Sequence, residues 1–337
     1  MTYNVAMSAV DLAIIGAGPT GLFGAFYAGL RKMSVKLIDS LEILGGQLTT
    51  LYPEKYIYDV PGFRKILSKD LAAQLIEQGM QFGAVPCLGE QVRTLETDPF
   101  TKTLTITTSA GTHAARAILI AAGVGAFAPK TLLLANAKSY ESHGLYYFVR
   151  HLDDLRDKRV LIVGGGDSAI DWANTLAGLT RSQTLIHRRD IFRAHEDSTA
   201  RMLAGPTQVR LFHELKAIGG DGHIEWATVY DNRTNDEQTL EVDAVLVNVG
   251  FSNSLGPIKS WGIDIIGGSI KVDSTMRTSR EGIFAAGDVT TYPGKLKLIA
   301  TGFGEAATAV NHAKKYLDPS VNVFPGHSTN MDLDAKP

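Results

Sequence analysis

Two glycine fingerprints, Gly16-Ala-Gly18-Pro-Thr-Gly21 and Gly164-Gly-Gly166-Asp-Ser-Ala169, constrain this chain more than any other feature. Each follows a short apolar run that ends at its first glycine: Asp11-Leu-Ala-Ile-Ile15 before one, Arg159-Val-Leu-Ile-Val163 before the other. Runs of that kind read as buried strands. The stretches 21–31 and 168–177 read as helices, and Val35-Lys-Leu-Ile38 and Thr184-Leu-Ile-His187 supply the next strands. Strand, helix and strand within about thirty residues form a βαβ unit, which implies a parallel sheet. In such a unit the first glycine makes the tight turn and the second lets a pyrophosphate approach the backbone. The third lets helix and strand pack closely, and the helix N-terminus faces the negative charge.

The rest of the chain fits around these units. A polar segment runs from Gly45 to Phe63, followed by a helix from Ser68 to Phe82. Gln91 to Glu96 and Thr103 to Thr107 alternate as an antiparallel meander, and Ala117-Ile-Leu-Ile-Ala-Ala122 is another buried strand. Val242 to Val249 closes the second unit, Ile283-Phe-Ala-Ala286 resumes the style of the first, and a helix follows from Gly304 to Tyr316. The simplest architecture inserts a nucleotide domain, residues 125–254, into a discontinuous domain made of 1–124 and 255–337. At 337 residues the chain is long enough for two domains. Gly123 to Gly125 and Gly250 to Ser254 sit at the crossovers, as hinges or as short linkers.

The residues behind the fingerprints carry opposite charge. Asp39 ends the strand 18 residues past Gly21, where a carboxylate takes both hydroxyls of a ribose or is simply a solvated turn residue. His187 lies 21 residues past Gly166, the interval of Asp39 from Gly18, and it leads into Arg188, Arg189 and Arg193. A carboxylate there would repel a 2′-phosphate, whereas guanidinium groups bind one bidentately. The second site therefore reads as one for NADPH, with Gly164, Gly166 and Ser168 at its pyrophosphate; the alternative is a solvated basic turn. His187 and His195 read as phosphate or adenine neighbours.

Composition sets exclusions. The net charge of −2 argues against a generic nucleic-acid or anionic-membrane binder. The longest apolar stretch, Ala117 to Pro129, falls short of the roughly 18 residues of a membrane helix. Met1 to Val10 has no signal-peptide pattern. Cys87 is the one cysteine, so no dithiol forms within the chain; it reads as a buried structural thiol, and the expected compartment is the cytoplasm. No metal site is expected.

Ile283-Phe-Ala-Ala-Gly-Asp288 and the glycine-bearing helix start Thr301-Gly-Phe-Gly304 resemble the flavoproteins with two dinucleotide-binding domains, in particular their thioredoxin reductase-like branch. The resemblance implies an α/β fold of two Rossmann-like, three-layer ββα domains, the second inserted in the first. It also implies FAD in the first fingerprint, with Asp288 at the ribityl-pyrophosphate region. Thioredoxin reductases carry a C-x-x-C before the second nucleotide strand, but Tyr146 to His151 here holds no cysteine.

Gly45-Gly-Gln-Leu48, Leu51-Tyr-Pro-Glu-Lys-Tyr-Ile-Tyr-Asp59, His187 to Glu196, Lys295 to Glu305 and Pro325-Gly-His-Ser-Thr-Asn330 resemble the thioredoxin reductase-like ferredoxin–NADP(+) reductases. That resemblance runs from Asp11 to Asn330. It implies a hydride exchanged between NADP(H) and FAD, single electrons exchanged with ferredoxin or flavodoxin, and a homodimer. By the same resemblance Gly16, Gly18, Thr20, Gly21, Asp39, Gln47, Tyr52, Val92, Phe127, Asp288 and Thr329 contact FAD. Tyr52 resembles the aromatic residue on one flavin face, and His327 with Ser328 the pair covering the other; taken alone, Tyr52 is equally a core tyrosine and His327 a tail histidine. Hydride transfer to a flavin needs no acid–base residue. Ferredoxins are acidic, so the docking face should be basic, with Lys55, Lys65, Lys130 and Lys138 as candidates or merely solvated. The competing readings are a reductase of a separate thiol protein or a quinone, and a non-catalytic flavin and NADPH redox sensor.

Overall fold

The apolar runs before the two fingerprints become inner strands of two parallel sheets in the computed structural model, which describes residues 8–330 apart from 124, 130–133, 135, 142 and 150. The candidate Lys130 lies outside the described residues. Two compact units form: 1–49 with 56–126 and 253–337, and 50–55 with 127–252. The stretch Thr50–Lys55 thus groups with the second unit, although the chain on both sides of it belongs to the first.

In the first unit, strands run in the order Val85–Leu88, Val35–Asp39, Val10–Ile15, Thr112–Ile120, Leu104–Thr108, Val92–Thr97, and Ile283–Ala285 also pairs with Thr112–Ile120. Leu12 pairs with Val35 on one side and Ala117 on the other, both in parallel register. Strand Thr112–Ile120 changes character along its length. Its first half pairs antiparallel with Leu104–Thr108 and alternates between buried and accessible positions; its second half lies between two parallel neighbours and is buried throughout. That is the pattern expected of a strand covered on one face and then on both. Helices Pro19–Leu30, Ser68–Met80 and Ile299–Leu317 pack together. The last begins five residues earlier than the expected Gly304 start, so Gly302 and Gly304 lie inside it.

The second unit has three layers, and alternation along one strand shows why. Strands Leu145–Tyr146, Ala244–Val247, Arg159–Val163, Ser182–His187 and Gln208–Leu211 form a parallel sheet in that order. Val160 and Ile162 face a core shared with Ile170, Trp172 and Leu176 of helix Asp167–Leu176 and with Met202 of helix Glu196–Ala204. Leu161 and Val163 face the opposite core, with Ile218, Ala227 and Val229. The latter three belong to the antiparallel sheet His213–Gly219, Trp226–Asp231, Glu237–Glu241. Among the described residues, no helix is long and apolar enough to cross a membrane.

Candidate cofactor sites

Close approach builds the first turn. A Cβ on Gly21 would lie 1.8 Å from the Gly16 carbonyl oxygen, so only glycine lets the helix sit this near the preceding strand. A Cβ on Gly18 would meet nothing nearer than 3.9 Å. The protein's own packing leaves that space open, and a pyrophosphate needs it. Gly18 is also the N-cap of helix Pro19–Leu30, with no side-chain cap and no acid in the first turn. The helix N-terminus therefore presents bare N–H donors, a natural anion site.

Asp39 is held by this turn. The Ala17 N–H donates to its Oδ2 at 2.6 Å and the Leu41 N–H to its Oδ1 at 2.8 Å. Burial pushes its carboxyl above the ordinary value, and the backbone amides oppose that push. A carboxylate so tethered keeps lone pairs free and makes a rigid acceptor for ribose hydroxyls. Thr20 meets two other glycines: a Cβ on Gly287 or Gly302 would lie 2.8 Å or 2.4 Å from its Oγ1. Asp288 follows Gly287 and has no side-chain hydrogen bond among the described residues. Burial raises its carboxyl, with Lys295 and Lys297 pulling the other way.

Sequence reasoning missed what fixes that loop. Glu305, 5% exposed, accepts the Gly287 N–H at 2.7 Å, and both the Tyr292 hydroxyl and the Lys295 ammonium at 2.5 Å. Lys295 is as buried as its partner, so removing either group would leave an uncompensated buried charge. Burial and Glu305 push the Tyr292 hydroxyl up to about 12. The only signal in the sequence is a glutamate among the small apolar residues of the C-terminal helix.

The other expected FAD residues are spread along the chain. Gln47 Nε2 lies 3.4 Å from the position a Cβ on Gly123 would take. Val92 is buried on its strand, and Phe127 lies in strand Ala126–Pro129. Tyr52 is partly buried in the stretch that groups with the second unit. Lys55 ends that stretch and is not a free surface cation: its Nζ is 3.4 Å from Asp171 and 5.1 Å over the Trp172 ring, and burial lowers its pKa. His327, Ser328 and Thr329 are exposed, with the His327 ring edge-on to Phe324 at 5.3 Å. Their segment is anchored by Arg31, whose buried guanidinium donates to the Asn322 and Val323 carbonyls, each at 2.9 Å, and to Asn311 Oδ1 at 2.7 Å.

The second turn repeats the first with other neighbours. A Cβ on Gly164 would lie 2.4 Å from the Asn248 carbonyl oxygen, and one on Gly165 would lie 2.2 Å from the His187 ring. Gly166, like Gly18, is open: its nearest neighbour would be the Arg193 carbonyl oxygen at 3.7 Å. It caps helix Asp167–Leu176 without a side-chain hydrogen bond, and Ser168 is exposed on the first turn. The Arg193 N–H donates to the Gly165 carbonyl at 2.8 Å, tying that residue to the turn. Arg188, Arg189 and Arg193 are exposed and have no carboxylate partner among the described residues.

His187 stacks on Phe192 at 5.4 Å. Burial lowers its pKa, and the three arginines lower it further. A neutral ring packed under Gly165 shapes the turn and is not placed as an acid. His195 contributes through its backbone, its N–H donating to Asp167 Oδ1 at 3.1 Å. Asn248 was not expected at this site: its backbone carbonyl closes on the Gly164 turn, and its Nδ2 is buried with no hydrogen-bond partner among the described residues.

Away from both turns, Cys87, Glu90 and His113 bring their ligand-type atoms within 4.8 Å of one another. His113 has both ring nitrogens engaged, Nε2 at 2.7 Å from Glu90 and Nδ1 at 3.3 Å from the Lys36 ammonium. Cys87 is only partly buried, against the expectation of a buried thiol; burial and then Glu90 raise its pKa.

Residues 10–313 match the family of pyridine nucleotide-disulphide oxidoreductases. The chain is 50% identical to ferredoxin–NADP reductase 2 of Shouchella clausii and 51% identical to a ferredoxin–NADP reductase of Halalkalibacterium halodurans. Each match covers 95% of this chain and 97% of the relative. Among solved structures, thioredoxin reductase from Lactococcus lactis is similar with a TM-score of 0.80 at 27% identity, covering 91% of this chain and 99% of that one. The T. acidophilum thioredoxin reductase also gives 0.80, at 26% identity, covering 93% and 99%.

Proposed function

The chain belongs to the pyridine nucleotide-disulphide oxidoreductases and, within them, to the ferredoxin–NADP reductases; from that membership and its two cradles we infer that it passes reducing equivalents between NADP(H) and ferredoxin or flavodoxin. The observation that carries this reading is the pair of open glycine turns of opposite charge in a chain with a single cysteine. FAD, when bound, supplies the step between two-electron and one-electron chemistry, which side chains cannot perform.

The residues bind, orient and exclude water. Gly18 and the bare helix N-terminus behind it receive the FAD pyrophosphate, with Gly16 and Gly21 shaping the turn and Thr20 beside it. Asp39 takes the ribose hydroxyls, and Asp288, held in place by Glu305, accepts from the ribityl region. Gln47, Val92, Phe127 and Thr329 complete the FAD contacts. Gly164, Gly166 and Ser168 receive the nicotinamide nucleotide's pyrophosphate, and Arg188, Arg189 and Arg193 grip the 2′-phosphate. Tyr52 shields one flavin face. His327 and Ser328 shield the other; their exposure on a single chain supports a homodimer in which the tail is covered. The single cysteine supports a reducing compartment, the cytoplasm.

An acceptor panel tests the reading: NADPH oxidation by the holoenzyme with ferredoxin, flavodoxin, thioredoxin and a quinone. Ferredoxin should turn over at least tenfold faster than thioredoxin or quinone. A ferredoxin rate no better than theirs overturns it.

A further inference from the structure

Three exposed aromatic side chains fall on one hairpin of the first unit: Tyr56 at 47%, Tyr58 at 62% and Phe63 at 37% exposure. Tyr56–Ile57 pairs antiparallel with Ile66–Leu67, Tyr56 opposite Leu67. Residues two apart in a strand share a face, and the Tyr56 and Tyr58 rings lie 6.5 Å apart. Lys65, just before the returning strand, places its Nζ 4.5 Å over the Tyr56 ring. Arg64 beside it is exposed, and neither cation has a carboxylate partner among the described residues. Asp59 is the one acid between Tyr56 and Leu67.

The hairpin is held from behind. Val60 and Ile66 are buried, and Ile66-Leu67 runs straight into helix Ser68–Met80. Aromatic rings and arginine on a fixed backbone have the composition of an interface core, and single solvated residues do not account for the grouping. The cations find no acid among the described residues, and an acidic surface brought by another molecule would complement them. Docking would also dry the cation over Tyr56 and strengthen that contact. In the sequence the hairpin begins four residues after Tyr52, one of the residues assigned to the flavin ring.

We propose that the Tyr56–Leu67 hairpin is the docking surface for the acidic one-electron carrier, Tyr58 and Phe63 supplying the apolar contact and Arg64 and Lys65 the charge complement. This rests on the reading of the chain as a ferredoxin–NADP reductase. Of the candidate lysines it selects Lys65 and leaves out Lys55, which is committed to Asp171.

The test uses FAD-loaded wild-type enzyme, an Arg64→Glu/Lys65→Glu double variant and Tyr58→Ala. For each, the KM for an acidic bacterial ferredoxin is measured at several salt concentrations, alongside NADPH–ferricyanide turnover and the oligomeric mass. The double variant should raise the ferredoxin KM at least tenfold at low salt and flatten its salt dependence. Tyr58→Ala should raise it severalfold at every salt concentration. Ferricyanide turnover, the KM for NADPH and the mass should stay as in wild type. A ferredoxin KM within twofold of wild type in both variants overturns the docking surface and leaves the function standing. Loss of the native mass would assign the patch to a second copy of the chain instead. If wild-type enzyme does not reduce ferredoxin at all, the functional reading itself fails and the surface falls with it.

Discussion

Arg31→Ala should release the C-terminal segment while leaving the fold intact. The guanidinium, 8% exposed, makes three hydrogen bonds, two of them to the Asn322 and Val323 carbonyls of that segment. Each is a charged donor on a neutral acceptor, with a net contribution of about 1.5–3 kcal/mol. Losing the two to the segment weakens its docking by about 3–6 kcal/mol, and at ~1.4 kcal/mol per factor of ten the lower figure is on the order of 100-fold. The freed carbonyls can return to water once the segment lifts, so global melting should move only by a few degrees. Hydrogen exchange read by mass spectrometry is the assay. Amides from Asp318 to Thr329 should exchange at least tenfold faster in the variant, with strands Val10–Ile15 and Val35–Asp39 unchanged. Arg31→Lys, which keeps the charge but not the fork, should fall between. Exchange within twofold of wild type across the segment would refute the claim that Arg31 holds it.

Three further outcomes follow from the same geometry. Gly18→Ala should leave the apo fold intact but weaken FAD retention at least tenfold, because its Cβ enters only the open cradle, whereas Gly21→Ala drives a methyl onto the Gly16 carbonyl and should cost soluble protein; flavin absorbance and expression yield read both. Arg188→Ala with Arg189→Ala should raise the KM for NADPH at least tenfold and leave that for NADH within threefold; an equal effect on both removes the 2′-phosphate argument. The Tyr292 hydroxyl, raised to about 12, is protonated in the folded state where an ordinary tyrosine would ionise. Its contribution to stability is therefore complete below about pH 10 and lost as the pH rises toward 12. A spectrophotometric titration near 295 nm should show one late tyrosine that Tyr292→Phe removes.

The parallel cores were legible because their signals are local. A buried strand ended by glycine, a helix start and a strand end with Asp39 or Arg188 all lie within one βαβ unit. The start of the C-terminal helix was missed because Gly302 and Gly304 argue against helix by propensity, while Gly302 is required by its approach to Thr20 Oγ1. Strands Trp226–Asp231 and Glu237–Glu241 were missed because the first buries only Ala227 and Val229 and the second has no buried residue. Lys55 looked like a surface cation because its partner Asp171 lies 116 residues away. Glu305, Asn248 and Arg31 escaped for the same reason: nothing near each in the chain shows what it will meet.

A ferredoxin–NADP reductase turns a two-electron donor into a source of single electrons. The direct measurement is stoichiometric: under anaerobic conditions a limiting amount of NADPH is added to holoenzyme with excess oxidised ferredoxin, and reduced ferredoxin is counted at completion. Two ferredoxins reduced per NADPH consumed is the expected result. NADPH consumed with no ferredoxin reduced, or only in the presence of an added disulfide protein, would contradict it.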